Sequence, residues 1–413
     1  MRRGVAVRPV VRRLATRPGR SVRQAWCLLW LERLIRKGMV PVSRFVYGRR
    51  AMLSGMAELQ PGFVEVDGDR VVGVGAGSPD GMPVETVDTL APGYVDVHSH
   101  GGGGAAFATD DPADVHTVLA THRARGTTTM MASLVTAPLG VLEQQVSLLA
   151  PLAMSGLIAG IHLEGPWLAV AHRGAHPENL LCDPNNDDVA RLLDAGKGMV
   201  RMVTLAPERP NALTATRFIV ERGSVVAVGH TDGDYDAAHA GVEAGATGAT
   251  HLFNGMPELL HRQPGPALAL WRDPRVWLEL ICDGIHTNLD LIAHVVASAP
   301  RRVVFITDAM AAVGVGDGDY MIGETPVEVR GGVARVKEDG RIAGSTLTLD
   351  RAVRIAVSAG VDQADALRAA TENPAAYLGL EQVGRLAPGC RADLLDLDAE
   401  LNVRRVMWGG QWI

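Results

Sequence analysis

The sequence predicts an α/β chain, a (β/α)8 TIM-type barrel with a small β-sandwich domain built from both ends of the chain. From Leu90 onward, apolar β-rich runs alternate with helical stretches, the pattern of repeated βα units. Many of those runs end in short polar strings, in the order VDVHSH (95–100), IHLEGP (161–166), VGHTD (228–232), ATHLFN (249–254), ICDGIH (281–286) and ITDAM (306–310). Each places His, Asp or Glu where a buried strand would emerge from a core, and a barrel collects its functional groups at that rim. The flanks of the repeat instead alternate apolar and polar residues around Gly and Asp turns, which reads as antiparallel strands.

Eight strands are expected, at 93–98, 127–135, 157–163, 200–205, 224–229, 247–252, 276–282 and 302–307. Helices are expected at 112–125 after Asp110 and Asp111, at 138–150 opening with Pro138, and at 187–195, 211–222, 233–244 and 289–298. The stretch 255–273 holds three prolines and reads as a loop with one short helix. Residues 319–340 read as a hairpin insertion with turns at Gly323, Gly331 to Gly332 and Asp339 to Gly340. The expected domains are a basic extension (1–51), a small β-sandwich from 52–91 and 380–413, and the barrel (92–379).

Length and composition suit this partition. The 413 residues are 47% hydrophobic with 47 glycines, enough to bury a large core, and exclude a disordered or fibrous chain. Cys27, Cys182, Cys282 and Cys390 lack CxxC spacing, so neither a zinc ribbon nor a disulfide framework is indicated, and a reducing cytoplasm is expected. Residues 1–50 hold fourteen Arg or Lys and one acid, Glu32, in a chain of net charge −6. Their longest apolar stretch, around Trp26 to Leu31, is far short of the roughly 20 residues that span a bilayer, so no membrane segment is expected. The segment reads as an upstream mis-assigned start, with translation beginning near Met39 or Met52. A disordered basic extension or an arm for nucleic acid or acidic lipid are the other readings.

The chemistry follows from residue types and spacing. His98 and His100 are two residues apart on one strand, so both side chains leave the same face and can meet one cation. Gly101 to Gly104 follow, a backbone-permissive turn that lets substrate approach closely. Glu164 ends an apolar strand before Gly-Pro, where a carboxylate is costly to bury without a cation or a donor. Many two-metal barrels bridge their cations with a carbamylated lysine, but no lysine lies between Lys37 and Lys197, so a carboxylate must bridge, and Glu164 is the best candidate. His230 and His251 end the fifth and sixth strands and complete an N/O donor set suited to Zn2+ or to Fe2+, Mn2+ or Co2+. Asp308, ending the eighth strand between small residues, is placed to take a proton from activated water and return it to a leaving nitrogen. Such a set performs hydrolysis of an amide or a related C–N bond.

These residues resemble the N-acetylglucosamine-6-phosphate deacetylases of the amidohydrolase superfamily. The resemblance covers about residues 52–413, with PGYVDVHSHG, HLEGPWL, GHTD, THLFNGM, DGIH, TDAM, IAGSTLT, ENPA and GRLAPG in the family's order. It implies deacetylation of N-acetylglucosamine 6-phosphate in amino-sugar catabolism, with Glu164, His230 and His251 holding the principal metal and Asp308 as general base and acid. His176 resembles the histidine that helps polarise the acetyl carbonyl, and Ala175 would line the sugar site. Asn254, Gly255, Ile342, Ala343 and Gly344 match substrate-contacting positions. Arg262 and His286 match the phosphate ligands, the latter within Asp283, Gly284 and Ile285. The resemblance also implies a homodimer whose phosphate contacts come partly from the neighbouring subunit. Some members carry amides in place of the first HxH and use one metal, so retention of His98 and His100 implies capacity for a second. Gln263 stands where the family usually has Glu. The alternatives are deacetylation of the galactosamine epimer, opening of a cyclic amide, and a non-enzymatic binding barrel.

Overall fold

Eight parallel strands follow one another around the barrel, each hydrogen-bonded to its sequence neighbours: Tyr94–Asp96, Thr127–Leu134, Gly160–Glu164, Val200–Leu205, Val225–Val228, Gly248–Ala249, Trp277–Ile281 and Val303–Ile306. This computed structural model describes residues 43–78 and 84–413, and the basic segment expected at the N-terminus lies largely outside them. Each barrel strand falls in a range expected from the sequence, except that the third runs one residue further, to Glu164. The reason is burial on both faces: all eight residues of Thr127–Leu134 and all four of Val303–Ile306 are buried, as parallel strands between a lumen and a ring of helices must be. The barrel closes between the first and eighth strands. Ser99 bridges Ala309, the Asp308 amide donates to the His98 carbonyl at 2.9 Å, and Thr307 Oγ1 donates to Asp96 Oδ2 at 2.6 Å.

Helices between the strands start where side chains satisfy free amides. Asp111 accepts from Ala113 N before Pro112–Arg123, Asn185 from Asp188 N before Asn186–Ala195, and Asp234 from Ala237 N before Tyr235–Glu243. The short helix expected within 255–273 is Gly265–Arg272. Three further helices, Leu349–Ser358, Gln363–Ala370 and Glu372–Tyr377, follow the eighth strand and were not among those expected. Among the described residues no helix is long and apolar enough to cross a membrane.

Both ends of the chain build the second unit. Val84–Pro92 pairs with Leu394–Leu397 on one side and Arg44–Met52 on the other, within one eight-stranded sheet that encloses Val46, Val64, Val66, Leu90, Leu394 and Met407. The edge strand Arg70–Ala76 meets the segment that leads into Leu394–Leu397: Val71 N donates to Cys390 O at 2.9 Å and Ala392 N to Asp69 O at 2.7 Å. The boundary expected at residue 52 needs correction. Arg44–Met52 sits between two partners and buries Phe45, Val46, Ala51 and Met52, so a start at Met52 would delete an inner strand.

The insertion differs in one strand from the expected hairpin. Gly318–Ile322, Thr325–Arg330 and Val333–Val336 form a three-stranded antiparallel ribbon. Its inward residues Ile322, Val327, Val329 and Val336 pack on Val135, Met310, Ala312 and Ala343, which seats the ribbon over the barrel mouth. Thr325 Oγ1 donates to Ala175 O at 2.7 Å and ties it to the loop carrying His176.

Candidate active site

The expected polar groups converge because each leaves its strand at the same end of the barrel. His98 and His100 follow the first strand, Glu164 is the last residue of the third, and His230, His251 and Asp308 each lie two residues past the fifth, sixth and eighth. All six are buried. His230, His251 and Asp308 have φ of 48°, 30° and 47°, a left-handed backbone that costs of order 1–3 kcal/mol for a non-glycine residue and persists where the surroundings over-determine it. Nothing local in the sequence announces this strain. Gly255 is needed beside it: its φ is +61°, and a Cβ there would lie 3.0 Å from His230 Nδ1.

One carboxylate lies at the centre. Glu164 Oε1 is 3.1 Å from both His230 Nε2 and His251 Nε2 and 3.5 Å from His98 Nε2, while Oε2 is 3.2 Å from His100 Nε2 and 3.4 Å from His176 Nε2. Asp308 Oδ1 stands 3.2 Å from His100 Nε2 and 3.7 Å from His98 Nε2. Ligand atoms of His98, His100 and Asp308 fall within 4.8 Å of one another, as do those of Glu164, His176 and His230.

Hydrogen-bond partners assign the ring protons. His230 Nδ1–H donates to the His172 carbonyl at 2.7 Å, His251 Nδ1–H to the Asn254 carbonyl at 3.1 Å, and His100 Nδ1–H to the Ser133 carbonyl at 3.2 Å. His98 Nδ1–H donates to Glu279 Oε2 at 3.1 Å. All four therefore turn an Nε2 lone pair inward, with Nε2 to Nε2 distances of 3.0 Å for His230 and His251 and 3.2 Å for His98 and His100. Facing lone pairs need a positive charge between them. Zinc at about 2.0–2.1 Å from each nitrogen sets two ligand nitrogens roughly 3 Å apart, so the donor set fits a divalent cation. His176 is arranged the other way. Its Nδ1 accepts from the Thr136 amide at 3.2 Å, which leaves the proton on Nε2, facing Glu164.

Where no cation sits, the same demand for positive charge falls on protons at the Nε2 atoms of His98 and His100. Burial opposes ionisation of Glu164, but the surrounding imidazoles, His98 foremost, hold it well below the usual carboxylate range. Asp308 is held down to about 2 against its burial by the hydrogen bond to His100 and the charge of His98. Burial works against protonation of His100, yet Asp308 and Glu164 pull its pKa up to about 9. His176 is pushed down to about 4, chiefly by burial, so it is a neutral donor at ordinary pH.

The cluster floors a cavity of about 270 Å³. Of the expected sugar-site residues, Ala175, His176, Asn254, Gly255, His286, Ile342, Ala343 and Gly344 line it. Asp283, Gly284 and Ile285 do not. Asp283 instead shapes the turn: it accepts from the amides of Ile285 and His286 and from His286 Nδ1 at 2.7 Å. Arg262 also falls outside, in a separate depression with Asp232, Asp234 and Asp236. The sequence reading missed Arg341, Ile322 and His172, which line the cavity, and Glu279 beneath it. A carboxylate inside the apolar run WLELI was the available signal for Glu279.

The family model described as the amidohydrolase family matches residues 89–413. The chain is 38% identical over 331 residues to an N-acetylgalactosamine-6-phosphate deacetylase of Escherichia coli O157:H7, covering 78% of this chain and 87% of that one. It is 36% identical over 340 residues to the N-acetylglucosamine-6-phosphate deacetylase of Bos taurus, covering 78% and 83%. A mutant N-acetyl-D-glucosamine-6-phosphate deacetylase of Mycobacterium smegmatis, solved in complex with N-acetyl-D-glucosamine 6-phosphate, superposes with a TM-score of 0.87 at 45% identity, covering 90% of this chain and 99% of that one. With sequence, fold and rim chemistry in agreement over most of its length, the chain belongs to the N-acetylglucosamine-6-phosphate deacetylases of the amidohydrolase family.

Proposed function

We propose that this hydrolase cleaves the acetamide of N-acetyl-D-glucosamine 6-phosphate to D-glucosamine 6-phosphate and acetate, in amino-sugar catabolism. The observation that carries the reading is Glu164, shared between inward-facing imidazoles on both sides, with Asp308 beside them under a sugar-sized cavity. Glu164, His230 and His251 would hold a divalent cation, zinc by the character of the donors, and His98 with His100 would offer a second place. When bound, the cation lowers the pKa of a water towards about 7 and polarises the acetyl carbonyl.

Every other role belongs to the chain. Asp308, ionised down to about pH 2, takes the proton from the attacking water and passes it to the departing nitrogen. His176 donates a hydrogen bond from Nε2–H to the acetyl oxygen as negative charge develops, and its low pKa keeps it a neutral donor. Ala175, Asn254, Gly255 and Ile342 to Gly344 hold the sugar ring, and His286, oriented by Asp283, meets the phosphate. Arg262 lies outside its own chain's cavity, in keeping with a homodimer in which it reaches the phosphate of the neighbouring site.

Acetate release from both phosphorylated epimers and from the unphosphorylated sugar tests the reading. The glucosamine 6-phosphate derivative is expected to react fastest. A lead for the galactosamine epimer redirects the substrate, and preference for the unphosphorylated sugar removes the roles given to Arg262 and His286.

A further inference from the structure

The barrel lumen contains a carboxylate that this chemistry leaves unused. Glu279 lies midway along Trp277–Ile281, its side chain is completely buried, and its Oε2 accepts the Nδ1 proton of His98 at 3.1 Å. Its Oε1 and the hydroxyl of Tyr377 have no hydrogen-bond partner other than each other among the described residues, and burial, with the neighbouring Glu279 charge and hydrogen bond, holds the phenol in its protonated form. The approach of that phenol is built in. Gly248 on the adjoining strand has no Cβ, and one placed there would lie 1.8 Å from the Tyr377 hydroxyl. A wholly buried carboxylate is expensive to keep, so its contact with His98 needs a reason.

The contrast with the other rim histidines supplies it. His100, His230 and His251 each give their outer ring proton to a backbone carbonyl, whereas His98 gives its own to a side-chain carboxylate. A carboxylate is the stronger acceptor: it fixes the tautomer, makes the inward nitrogen more basic and adds a negative charge behind the ligand. We propose that Glu279 is a positioning residue for His98, and that it sets the affinity of the half-site formed by His98, His100 and Asp308 for a second divalent cation. The proposal rests on the reading of the rim as a metal centre. It adds that the second ion depends on a residue in the lumen that touches neither substrate nor metal.

The test is a metal titration on the full-length chain, stripped with a chelator and reloaded with Zn2+, with ions per chain counted by mass spectrometry and affinities measured by calorimetry. Wild type is expected to take two ions. Glu279→Leu is expected to keep the first at wild-type affinity and to bind the second about 10–100-fold more weakly, while Glu279→Gln, which retains an oxygen for Nδ1–H, loses about tenfold. Two ions bound by Glu279→Leu at wild-type affinity overturn the proposal, as does equal weakening of both. Should Glu279→Leu fail to fold by circular dichroism, an unchanged second affinity in Glu279→Gln overturns it alone. Wild type that binds one ion and releases acetate from the phosphorylated sugar sinks this inference and leaves the proposed function standing. Wild type that binds none sinks both.

Discussion

The two halves of the rim hold similar ligands by different means. Around Glu164, the outer nitrogens of His230 and His251 are anchored on the carbonyls of His172 and Asn254, which are parts of the backbone path. Around Asp308, His98 hangs from the side chain of Glu279, and Asp308 itself meets only His100 and His98 among the ring nitrogens of the rim. Any sequence that folds this way supplies carbonyls at those places. A glutamate at 279 is a choice the fold does not require. The first half is therefore anchored wholly on the backbone, whereas the second rests on the backbone through His100 and Ser133 and on a side chain through His98.

Removing the shared charge tests that contrast most severely. Glu164→Gln deprives both halves of their common ligand, and a divalent cation is worth several kcal/mol to such a reaction, so acetate release is expected to fall by more than about 10³-fold with metal lost from both places. Wild-type metal content in that variant would break the picture of a common bridge. Asp308→Asn comes next. Loss of a proton shuttle is expected to lower kcat about 10²–10⁴-fold with KM and the first ion nearly unchanged, and full turnover would refute the assignment.

Paired substitutions sharpen the asymmetry. His230→Asn is expected to abolish activity and the first ion, while His100→Asn removes the second ion and retains a measurable rate. Equal losses in metal counts and acetate assays would erase the distinction between the halves. Gly248→Ala is a smaller perturbation: the added methyl must displace Tyr377, and overpacking of this kind costs about 1–3 kcal/mol, readable as a lowered denaturation midpoint. The mildest test is pH. In the chelator-stripped protein, His100 has a pKa raised to about 9 from 6.5, so its contribution to stability is complete below pH 6.5 and disappears as pH rises through about 9. Thermal melts should therefore fall on that alkaline limb, and added Zn2+ should flatten it. A flat profile in the stripped protein would show that Glu164 and Asp308 do not hold a proton there.

Legibility in the sequence followed burial. Val303–Ile306 stood out because a strand buried on both faces can be apolar throughout, and the first helix start was marked by Asp110 and Asp111. Arg44–Met52 was hidden by composition: Arg44, Arg49 and Arg50 made it look like the end of a basic tail, although Val46, Ala51 and Met52 are core residues. The helix Gln363–Ala370 escaped notice because no motif drew attention to it. At the site, Ala175, Asn254 and Gly344 line the cavity, while Arg262 opens onto a different depression and Arg341 lines the cavity unannounced. A motif marks which residue is present but not the direction in which a loop turns it.

Sequence alone determined the inventory and the order: eight apolar runs, the polar groups that end many of them, and the absence of a lysine that would have bridged the metals. Those are local properties, written in residue type and spacing. Only the tertiary structure decided which nitrogen of each imidazole faces inward, and that Glu279 stands behind His98 at a separation of 181 residues. Such contacts exist only after the eighth strand closes on the first, because barrel closure brings together atoms that no local periodicity relates.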